Sequence, residues 1–294
     1  MPNSAIYIEP LTLGDLEGAL TLSTAIGWNQ RAEDWRMLLE LAPAGAFPAV
    51  AGDRIVGTAI GIDYGTFGWI AMMLVDPAYR GRGLGARLLE RAMTALPPTV
   101  PIRLDATPLG RPLYQRFGFE DDVVLSRQIA EPPRGDDFAV QTATGASIRP
   151  LIAAELRSAG EQDVHVFGGH RFRVLEWMLD GAPQYAWVAH DSSGQPQYCL
   201  GRAGRLFDQI GPVVARDAEV AKALVGAALR HAAAKPVVID AFDAHEAFAA
   251  SLRRAGFRVQ RPLYRMCRPS AGASADPHVP SDLIEFAILG PEFA

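Results

Sequence analysis

The chain repeats itself, since short segments of its first half return in its second half at offsets of about 135 to 140 residues. A repeat of that length is much longer than a solenoid unit and is close to the size of an ordinary domain. In a chain of 294 residues it predicts a tandem duplication of one fold. The matching segments are 8–11 with 148–151, 104–106 with 239–241, and 114–119 with 252–257.

Strand-like and helix-like patterns alternate along each copy, which predicts an α/β (α+β) fold. In the first copy the order is strand, helix, helix, three strands, helix, strand, and then a last helix and strand. Segments rich in Pro, Gly and small polar residues interrupt these patterns and predict the domain limits. We expect domains at 1–130 and 148–269, a linker at 131–147, and a tail at 270–294 whose apolar end docks on the core.

The composition is that of a folded globular protein, with 49% hydrophobic and 21% charged residues. The net charge of -5 carries no basic surplus for a phosphate backbone, so we expect no nucleic-acid partner. No apolar run reaches the roughly 18 residues of a membrane span and the first residues lack a signal-peptide pattern, which predicts a cytoplasmic protein with no membrane partner. Cys199 and Cys267 lie far apart, and His165 and His170 match no ligand spacing, so we expect no metal.

A glycine-rich turn lies between a strand pattern and a helix pattern at residues 75–89. An apolar run ends there, three glycines follow at alternate positions from Gly81 to Gly85, and an amphipathic helix starts at once. Glycines let backbone N–H groups approach an oxygen-rich ligand, and the N-terminus of the helix adds unpaired donors and a positive dipole end. Arg80 and Arg82 add positive charge. The pattern predicts a pyrophosphate-binding turn.

Two kinds of nucleotide site share such glycines. Gly81, Gly83 and Ala86 satisfy the fingerprint of dinucleotide-binding folds, and Asp105 follows about 20 residues later, where a ribose-binding acid is expected. In those folds, however, the strand runs directly into the first glycine, whereas residues 76–80 intervene here. An NAD(P)-dependent oxidoreductase therefore stays as the alternative enzyme.

The turn also contains the motif R-x-x-G-x-G/A, here Arg80 to Gly85, preceded by Val-Asp-Pro. Together with LYQRFGF at 113–119, it resembles the GNAT superfamily of acetyl-CoA-dependent N-acetyltransferases over about residues 5–130. The resemblance implies a mixed central sheet flanked by helices, in which the strand before the turn splays from the next parallel strand and opens a V-shaped cleft. The repeat then implies two tandem GNAT-like domains.

The resemblance also assigns a site for acetyl-CoA. In the family, the backbone of the turn binds the CoA pyrophosphate, the preceding strand pairs with the pantetheine arm, and an N–H near Leu74 holds the thioester carbonyl oxygen. Arg111, in the loop before Tyr114, is expected to reach the CoA phosphates. The cofactor-binding residues carried over by the motif are Met73, Leu74, Val75, Arg80, Gly81, Arg82, Gly83, Leu84, Gly85, Ala86 and Tyr114.

Acetyl transfer to an amine requires a proton donor and a proton acceptor. Tyr114 occupies the family's general-acid position, where a phenol with a pKa of about 10 protonates the leaving thiolate; the alternative is a helix tyrosine that only packs against the cofactor. Because amines are mostly charged at neutral pH, a base must take a proton. Asp105, at the cleft end of the strand after the CoA helix, is the first candidate, and Asp63, Glu33 and Asp34 are the others.

The acceptor amine is expected to enter beside the first two helices. Aromatic residues there suit a small amine or a cationic head group through cation–π contact, although packing in the core explains the same aromatics equally well. The sequence does not name the acceptor. The substrate-binding candidates are Trp28, Asn29, Trp35, Tyr64 and Trp69.

The second copy lacks the residues that this chemistry needs. At the place of the glycine turn, residues 210–219 contain one glycine and two acids, and Leu252 stands opposite Tyr114. We interpret it as a degenerate GNAT-like domain without CoA, which completes the acceptor pocket, covers the first domain or forms a homodimer. The function predicted is acetyl-CoA-dependent N-acetylation of a primary amine of a small acceptor, by direct attack in a ternary complex. A noncatalytic CoA-binding or regulatory module is the other alternative.

Overall fold

A computed structural model describes residues 5–131, 147–190, 194–232, 235–270 and 283–294. The chain divides into two compact units. The first takes in the described residues of Met1–Asp121 and Met266–Ala275 together with Phe293; the second takes in those of Asp122–Arg265 and Asp276–Glu292 together with Ala294. No helix among the described residues is both long and apolar enough to cross a membrane.

The first unit contains a sheet whose strands run in the order β1-β2-β3-β4-β5. All neighbours are antiparallel except β4 and β5, which are parallel. This element order agrees with the sequence prediction. The elements are β1 (Ile6–Ile8), α1 (Leu16–Ala25), α2 (Ala32–Leu41), β2 (Ala46–Ala51), β3 (Arg54–Asp63), β4 (Gly68–Val75), α3 (Leu84–Thr94), β5 (Ile102–Ala106) and α4 (Arg111–Arg116).

Helix α3 packs unusually close to the sheet because glycines lie beneath it. A Cβ atom added to Gly57 would lie 2.8 Å from Leu88 Cδ1, and one added to Gly61 would lie 2.5 Å from the carbonyl oxygen of Ala92. The helix buries one apolar face against β3 and β4. Its N-terminus is thereby held at the end of β4, where the glycine turn connects the two elements.

The second unit contains strands in the order β6-β11-β13-β10-β9-β8-β7, and β10 also pairs with β11. β6 belongs to this unit from Asp122 onward and β12 up to Arg265. The remaining elements are β6 (Glu120–Ala130), β7 (Ser147–Pro150), α5 (Ala153–Phe167), α6 (Phe172–Gly181), β8 (Trp187–His190), β9 (Pro196–Arg202), β10 (Asp208–Ala215), α7 (Ala218–Leu229), β11 (Val237–Phe242), α8 (Glu246–Arg254), β12 (Arg258–Arg268) and β13 (Ile284–Ile288).

The compact units differ from the domain limits expected from composition. Residues 122–130 belong to the second unit, because β6 pairs antiparallel with β11 from Leu125 opposite Phe242 to Ala130 opposite Val237. The apolar end of the tail joins the same sheet as β13. Composition marks where a chain loops, but it does not say which sheet a strand joins. Most of the expected linker and the first part of the tail, 132–146 and 271–282, lie outside the described residues.

The two copies share one order of elements, so β7 to β12 with their helices repeat β1 to β6. The repeat extends to a helix end. Gly118 after α4 and Gly256 after α8 both have positive φ, of +80° and +88°. In each case the next residue donates its N–H to a carbonyl five positions back, as in a glycine-terminated helix. The tandem duplication is confirmed at this level of detail.

Candidate active site

The parallel strands β4 and β5 pair over a short stretch only. Gly68 lies opposite Ile102 and Trp69 opposite Arg103, and no later pair between these strands is described, although β4 continues to Val75 and β5 continues through Ala106. The C-terminal halves of the two strands therefore separate. Met73 and Val75 are half-buried and Leu74 is buried in the separated half of β4. The geometry agrees with the V-shaped cleft predicted from the motif.

A β-bulge interrupts β4 within this cleft. Thr58 of β3 lies opposite Leu74, but Ile60 lies opposite Ala71, so β4 contains one residue more than β3 between the two pairs. Met72 at the bulge has a φ of +49°, which is uncommon for a residue other than glycine. The buried hydroxyl of Thr58 donates a hydrogen bond of 2.7 Å to the carbonyl oxygen of Met72. Thr58 therefore holds the strained bulge in place.

Sequence reasoning missed Thr58. The only signal is a polar residue inside the otherwise apolar strand pattern of β3, and such a residue is more often a structural detail than a site residue. The bulge itself has no sequence signature here, because a methionine and not a glycine occupies the left-handed position.

The glycine turn between β4 and α3 has open space on its outer side. Gly81 and Gly83 both have a φ of +75°, and among the described residues, apart from the chain neighbours, no atom lies within 4 Å of a Cβ placed on either. Gly83 is the N-cap of α3, and among the described residues no side chain caps the first turn of the helix. Leu84 is buried, while Gly85 and Ala86 are half-buried. The helix therefore directs its N-terminal N–H groups and its positive dipole end into the turn, which is an arrangement suited to an anion.

Arginines add positive charge beside the turn. Arg80 is exposed, and its Nε donates to the carbonyl oxygen of Val75 at 3.0 Å. The guanidinium of Arg82 lies 5.5 Å from the centre of the Tyr79 ring. The nearby carboxylate of Asp76 accepts from a backbone N–H of the short turn after β4, so it is directed at the backbone. The turn thus combines backbone donors with two exposed cations.

Tyr114 lies on α4 with 8% of its surface exposed. Its ring packs against Phe119 edge to face, with 6.0 Å between the centroids. A Cβ added to Gly110 would lie 3.1 Å from the ring, so the tyrosine is also closely held on that side. Burial raises the pKa of Tyr114 well above its ordinary value. The phenol is therefore protonated throughout the physiological range, as a proton donor must be.

Among the candidate bases, Asp105 alone lies in the separated half of the cleft strands. It is half-buried on β5, two residues past the last pair with β4. Asp63 accepts a hydrogen bond from the backbone of the turn after β3. Asp34 is buried and accepts from the backbone N–H of Arg31 at the start of α2, while Glu33 forms an exposed ion pair with Arg31 at 3.2 Å. These three carboxylates have structural roles.

Two segments of the chain match the family model described as an acetyltransferase (GNAT) domain, residues 44–121 and residues 160–278. The chain belongs to the GNAT acetyltransferase family. It carries two GNAT domains in tandem, the first in the half that contains the bulged strand and the glycine turn. Membership of this family, together with a relative named as an N-acetyltransferase, makes the protein an acyltransferase.

Relatives of this GNAT protein share its tandem length. The uncharacterized N-acetyltransferase YitH of Bacillus subtilis (strain 168) is 28% identical over 258 residues, which cover 82% of this chain and 84% of the relative. A putative acetyltransferase from Pyrococcus horikoshii has a TM-score of 0.77 at 24% identity, over 98% of this chain and 96% of its own. A tandem GNAT protein from the clavulanic acid biosynthesis pathway has a TM-score of 0.62 at 14% identity, over 92% and 100% of the two chains. The two structures support the tandem fold.

Three of the residues expected to bind the acceptor lie in the core of the first GNAT unit. Trp35 is wholly buried, and its indole N–H donates to Ser23 Oγ at 3.2 Å. Tyr64 and Trp69 are 2% and 1% exposed, and the Tyr64 hydroxyl donates to the carbonyl oxygen of Phe293 at 2.7 Å. These three aromatics therefore expose almost no surface, and their role in binding the acceptor stays a prediction.

The other two acceptor candidates also stay a prediction. Trp28 is half-buried and Asn29 is buried, both in the connection between α1 and α2. Arg111, which is expected to reach the CoA phosphates, forms a two-pronged ion pair with Asp121, with Nε 2.8 Å from Oδ1. The hydrogen bonds from Arg111 lower the pKa of Asp121 below its ordinary value.

The second GNAT domain differs from the first at the N-terminus of the helix after the bulged strand and at the position of Tyr114. Asp217 is the N-cap of helix α7, and its Oδ1 accepts from the N–H groups of Glu219 and Val220 at 3.0 and 2.9 Å. A carboxylate of the chain thus occupies the helix N-terminus that is open in the first unit. Leu252, at the position of Tyr114, is fully buried and has no proton to donate.

Proposed function

We propose that the first unit is an acetyl-CoA-dependent N-acetyltransferase that acts on a primary amine of a small acceptor by direct attack in a ternary complex. The observation that carries the proposal is the uncapped glycine turn at the end of a bulged strand that separates from its neighbour. A turn that offers backbone donors to an anion, next to a strand edge that has no pairing partner within the described parts of the chain, suits a ligand with a pyrophosphate and an amide-containing arm.

The residues present fit acetyl-CoA, which supplies an acetyl group activated as a thioester. The backbone N–H groups of residues 81–85 would hold its pyrophosphate, with Arg80 and Arg82 adding charge. The separated edge of β4, from Met73 to Val75, would pair with the pantetheine arm. Because the bulge at Met72 turns the backbone out of the ladder with β3, it frees peptide groups of β4 to donate to the thioester oxygen, where negative charge develops during the attack.

Proton transfer is assigned to two side chains. Tyr114 donates to the departing sulfur, and its raised pKa keeps the proton available until the thiolate forms. Asp105 takes the proton of the attacking amine, directly or through water, from its place in the separated half of the cleft. Trp28 and Asn29 are left as the candidates that orient the acceptor. Positioning of the two substrates supplies much of the remaining rate.

The oxidoreductase alternative is less well supported, because β4 does not run directly into the first glycine. A short helical turn at Pro77–Tyr79 lies between them. The alternative of a noncatalytic CoA-binding module differs from the proposal only in turnover. Release of free thiol from acetyl-CoA, measured with a panel of primary amines, separates the two. Binding of acetyl-CoA without turnover of any amine would favour the binding module.

The glycine turn offers a matched test of the cofactor site. Gly83 and Gly52 both have positive φ (+75° and +66°) and no atom within 4 Å of an added Cβ, but Gly52 lies in the β2–β3 hairpin. Alanine at either position costs about 1–2 kcal/mol of stability, since both require a left-handed backbone. Only Gly83→Ala should also weaken acetyl-CoA binding, by about tenfold or more, because it adds a methyl group where the phosphates approach.

Isothermal titration with acetyl-CoA, CoA and NAD(P) gives the readout, with thermal unfolding as the control for folding. Equal loss of acetyl-CoA affinity in Gly52→Ala and Gly83→Ala would contradict the site. Binding of NAD(P) without binding of CoA would contradict the function.

A further inference from the structure

The second unit repeats the separated strands of the first, but it fills the gap with its own chain. β10 and β11 are parallel and pair at two positions, Asp208 with Val237 and Gln209 with Val238. Beyond these pairs, β13 lies between the two strands and is antiparallel to both. Ala287 of β13 pairs with β10 on one side and with β11 on the other. In the corresponding place between β4 and β5 no strand is found among the described residues, whereas here β13 occupies it.

The bulge is also repeated, and it is adapted to the inserted strand. Between the pairs Ile210–Gly201 and Val213–Cys199, β10 contains one residue more than β9. Gly211 within this bulge has a φ of +151°, and a Cβ added to it would lie 1.9 Å from the carbonyl oxygen of Ile288. β13 thus passes so close to the bulge that only glycine is accommodated, whereas the bulge of the first unit contains Met72.

Side chains fix the inserted strand. Arg171 is almost wholly buried, and its Nη2 lies 2.8 Å from Glu285 Oε1 of β13 and 2.8 Å from Asp163 Oδ1. Glu285 and Asp163 thus share one buried cation, the guanidinium of Arg171. Removal of the Glu285 carboxylate would leave that buried charge only partly compensated. His245 Nε2 lies 3.2 Å from the backbone oxygen of Glu285. These contacts tie β13 to the N-cap residues of α6 and α8 in the same unit.

We propose that β13 is a permanent internal occupant of the cofactor cleft of the second GNAT domain. Its backbone takes the strand position along β10, and the carboxylate of Asp217 takes the anion position at the start of α7. The second domain is closed to acetyl-CoA by these two replacements, and not only by the missing glycines. The inference rests on the proposed function in one respect. It expects the chain to bind one acetyl-CoA, in the first unit.

Hydrogen exchange measured by mass spectrometry on the full chain, with and without acetyl-CoA, tests the proposal. Amides of residues 284–288 should exchange slowly in both states, since both edges of β13 are paired. Protection gained on ligand addition should appear at residues 81–86. Isothermal titration should give one acetyl-CoA per chain. Two binding sites, or loss of protection at 284–288 when acetyl-CoA is added, would overturn the proposal, because either result means that the ligand displaces the strand.

A pair of variants tests the close approach at the bulge. Gly211→Ala places a methyl group against the backbone of β13 and should accelerate exchange at 284–288 by about tenfold or more. Gly181→Ala is the matched control, because an added Cβ there meets no atom within 4 Å. Unchanged exchange in Gly211→Ala would contradict the packing. If the chain binds no acetyl-CoA at all, the proposed function fails, while the exchange of 284–288 still decides the place of β13.

Discussion

A single hydroxyl group links the strand geometry of the first unit to its chemistry. Thr58 carries no charge and faces no ligand, yet its hydrogen bond satisfies the carbonyl oxygen of a residue in a left-handed conformation. A buried carbonyl that loses its donor costs about 1–3 kcal/mol. The bulge of β4 is therefore sensitive to a residue on the neighbouring strand.

Replacement of Thr58 by valine keeps the shape and removes the donor. We expect Thr58→Val to lower kcat more than it raises the KM for acetyl-CoA, because the bulge holds the peptide groups that bind developing charge. Thr58→Ser retains the hydroxyl and should retain most of kcat. Steady-state kinetics of both variants, with urea unfolding beside them, checks the prediction. A loss of kcat that is equal in the serine and valine variants would argue for packing and against the hydrogen bond.

Tyr114 gives a second prediction at this scale. Tyr114→Phe should lower kcat by about 10²–10⁴-fold if the phenol is the general acid. An acid must be protonated to act, so activity falls as pH rises through its pKa; because burial raises the pKa of Tyr114, that fall belongs above about pH 10. The pH profile of kcat in both enzymes is the measurement. Wild-type kcat in the variant, with each amine that is turned over, would remove the acid role.

At the scale of single residues, the GNAT motifs predicted positions for the turn glycines and Tyr114, but few positions outside the motifs. The glycines and Tyr114 stand in contiguous patterns, so their neighbourhood is readable from the chain. The burial of Tyr64 and Trp69 could not be predicted, because an aromatic side chain beside a cleft and one beneath it have the same local pattern. Burial is set by the packing of distant segments, and Tyr64 donates its hydrogen bond to the distant Phe293.

At the scale of elements, the closeness of α3 to the sheet decides where the glycine turn lies. A helix that rests on glycines has a fixed height above the strands, so its N-terminus cannot shift without loss of contact along its length. The alternation of patterns predicted α3 and its buried face correctly. The glycines of β3 gave no such signal, since their role appears only when the helix is placed above them.

Gly57→Ala should test this closeness. The new Cβ would meet Leu88 Cδ1 at 2.8 Å and the carbonyl oxygen of Leu74 at 3.1 Å, so the Leu88 side chain must change its conformation and the strand must shift by a few tenths of an ångström. We expect a loss of about 1–3 kcal/mol in the free energy of unfolding and weaker acetyl-CoA binding. Gly14→Ala, where the nearest contact is an ordinary 3.4 Å, is the control. Urea unfolding and isothermal titration give the two values. If Gly57→Ala is less stable but binds acetyl-CoA like wild type, the distance of α3 from the sheet does not determine acetyl-CoA binding.

At the scale of the whole molecule, the order of the strands along the chain does not match their grouping into the two compact units. β6 follows the first copy along the chain, but six of its residues pair with β11 in the second unit. The pairing includes a buried ion pair, with Arg127 Nε and Nη2 each 2.7 Å from an oxygen of Asp240. The repeat predicted two copies of one fold, but no local pattern could predict this grouping because strand pairing is a long-range choice.

A chain that is cleaved in the linker but keeps both fragments should therefore behave differently from a chain that ends at the linker. A fragment of residues 1–130 leaves β6 unpaired and Arg127 without its carboxylate, and we expect it to aggregate or to unfold at lower urea concentration than the full chain. The full chain with a protease site inserted at 131–147 should stay associated after cleavage, because the pairing of β6 with β11 survives. Size-exclusion chromatography and urea unfolding compare the two. A stable, monomeric 1–130 fragment would show that β6 is dispensable to the first copy.

Because β13 belongs to the chain, the stability of the two units should depend differently on ligand concentration. A ligand that diffuses stabilises its site by an amount that grows with its concentration, so the first unit should become more stable as acetyl-CoA accumulates. An occupant that belongs to the chain has an effective concentration set by its tether, and dilution cannot remove it. On the proposed function, the stability of the first copy therefore follows the supply of a metabolite, whereas that of the second copy does not.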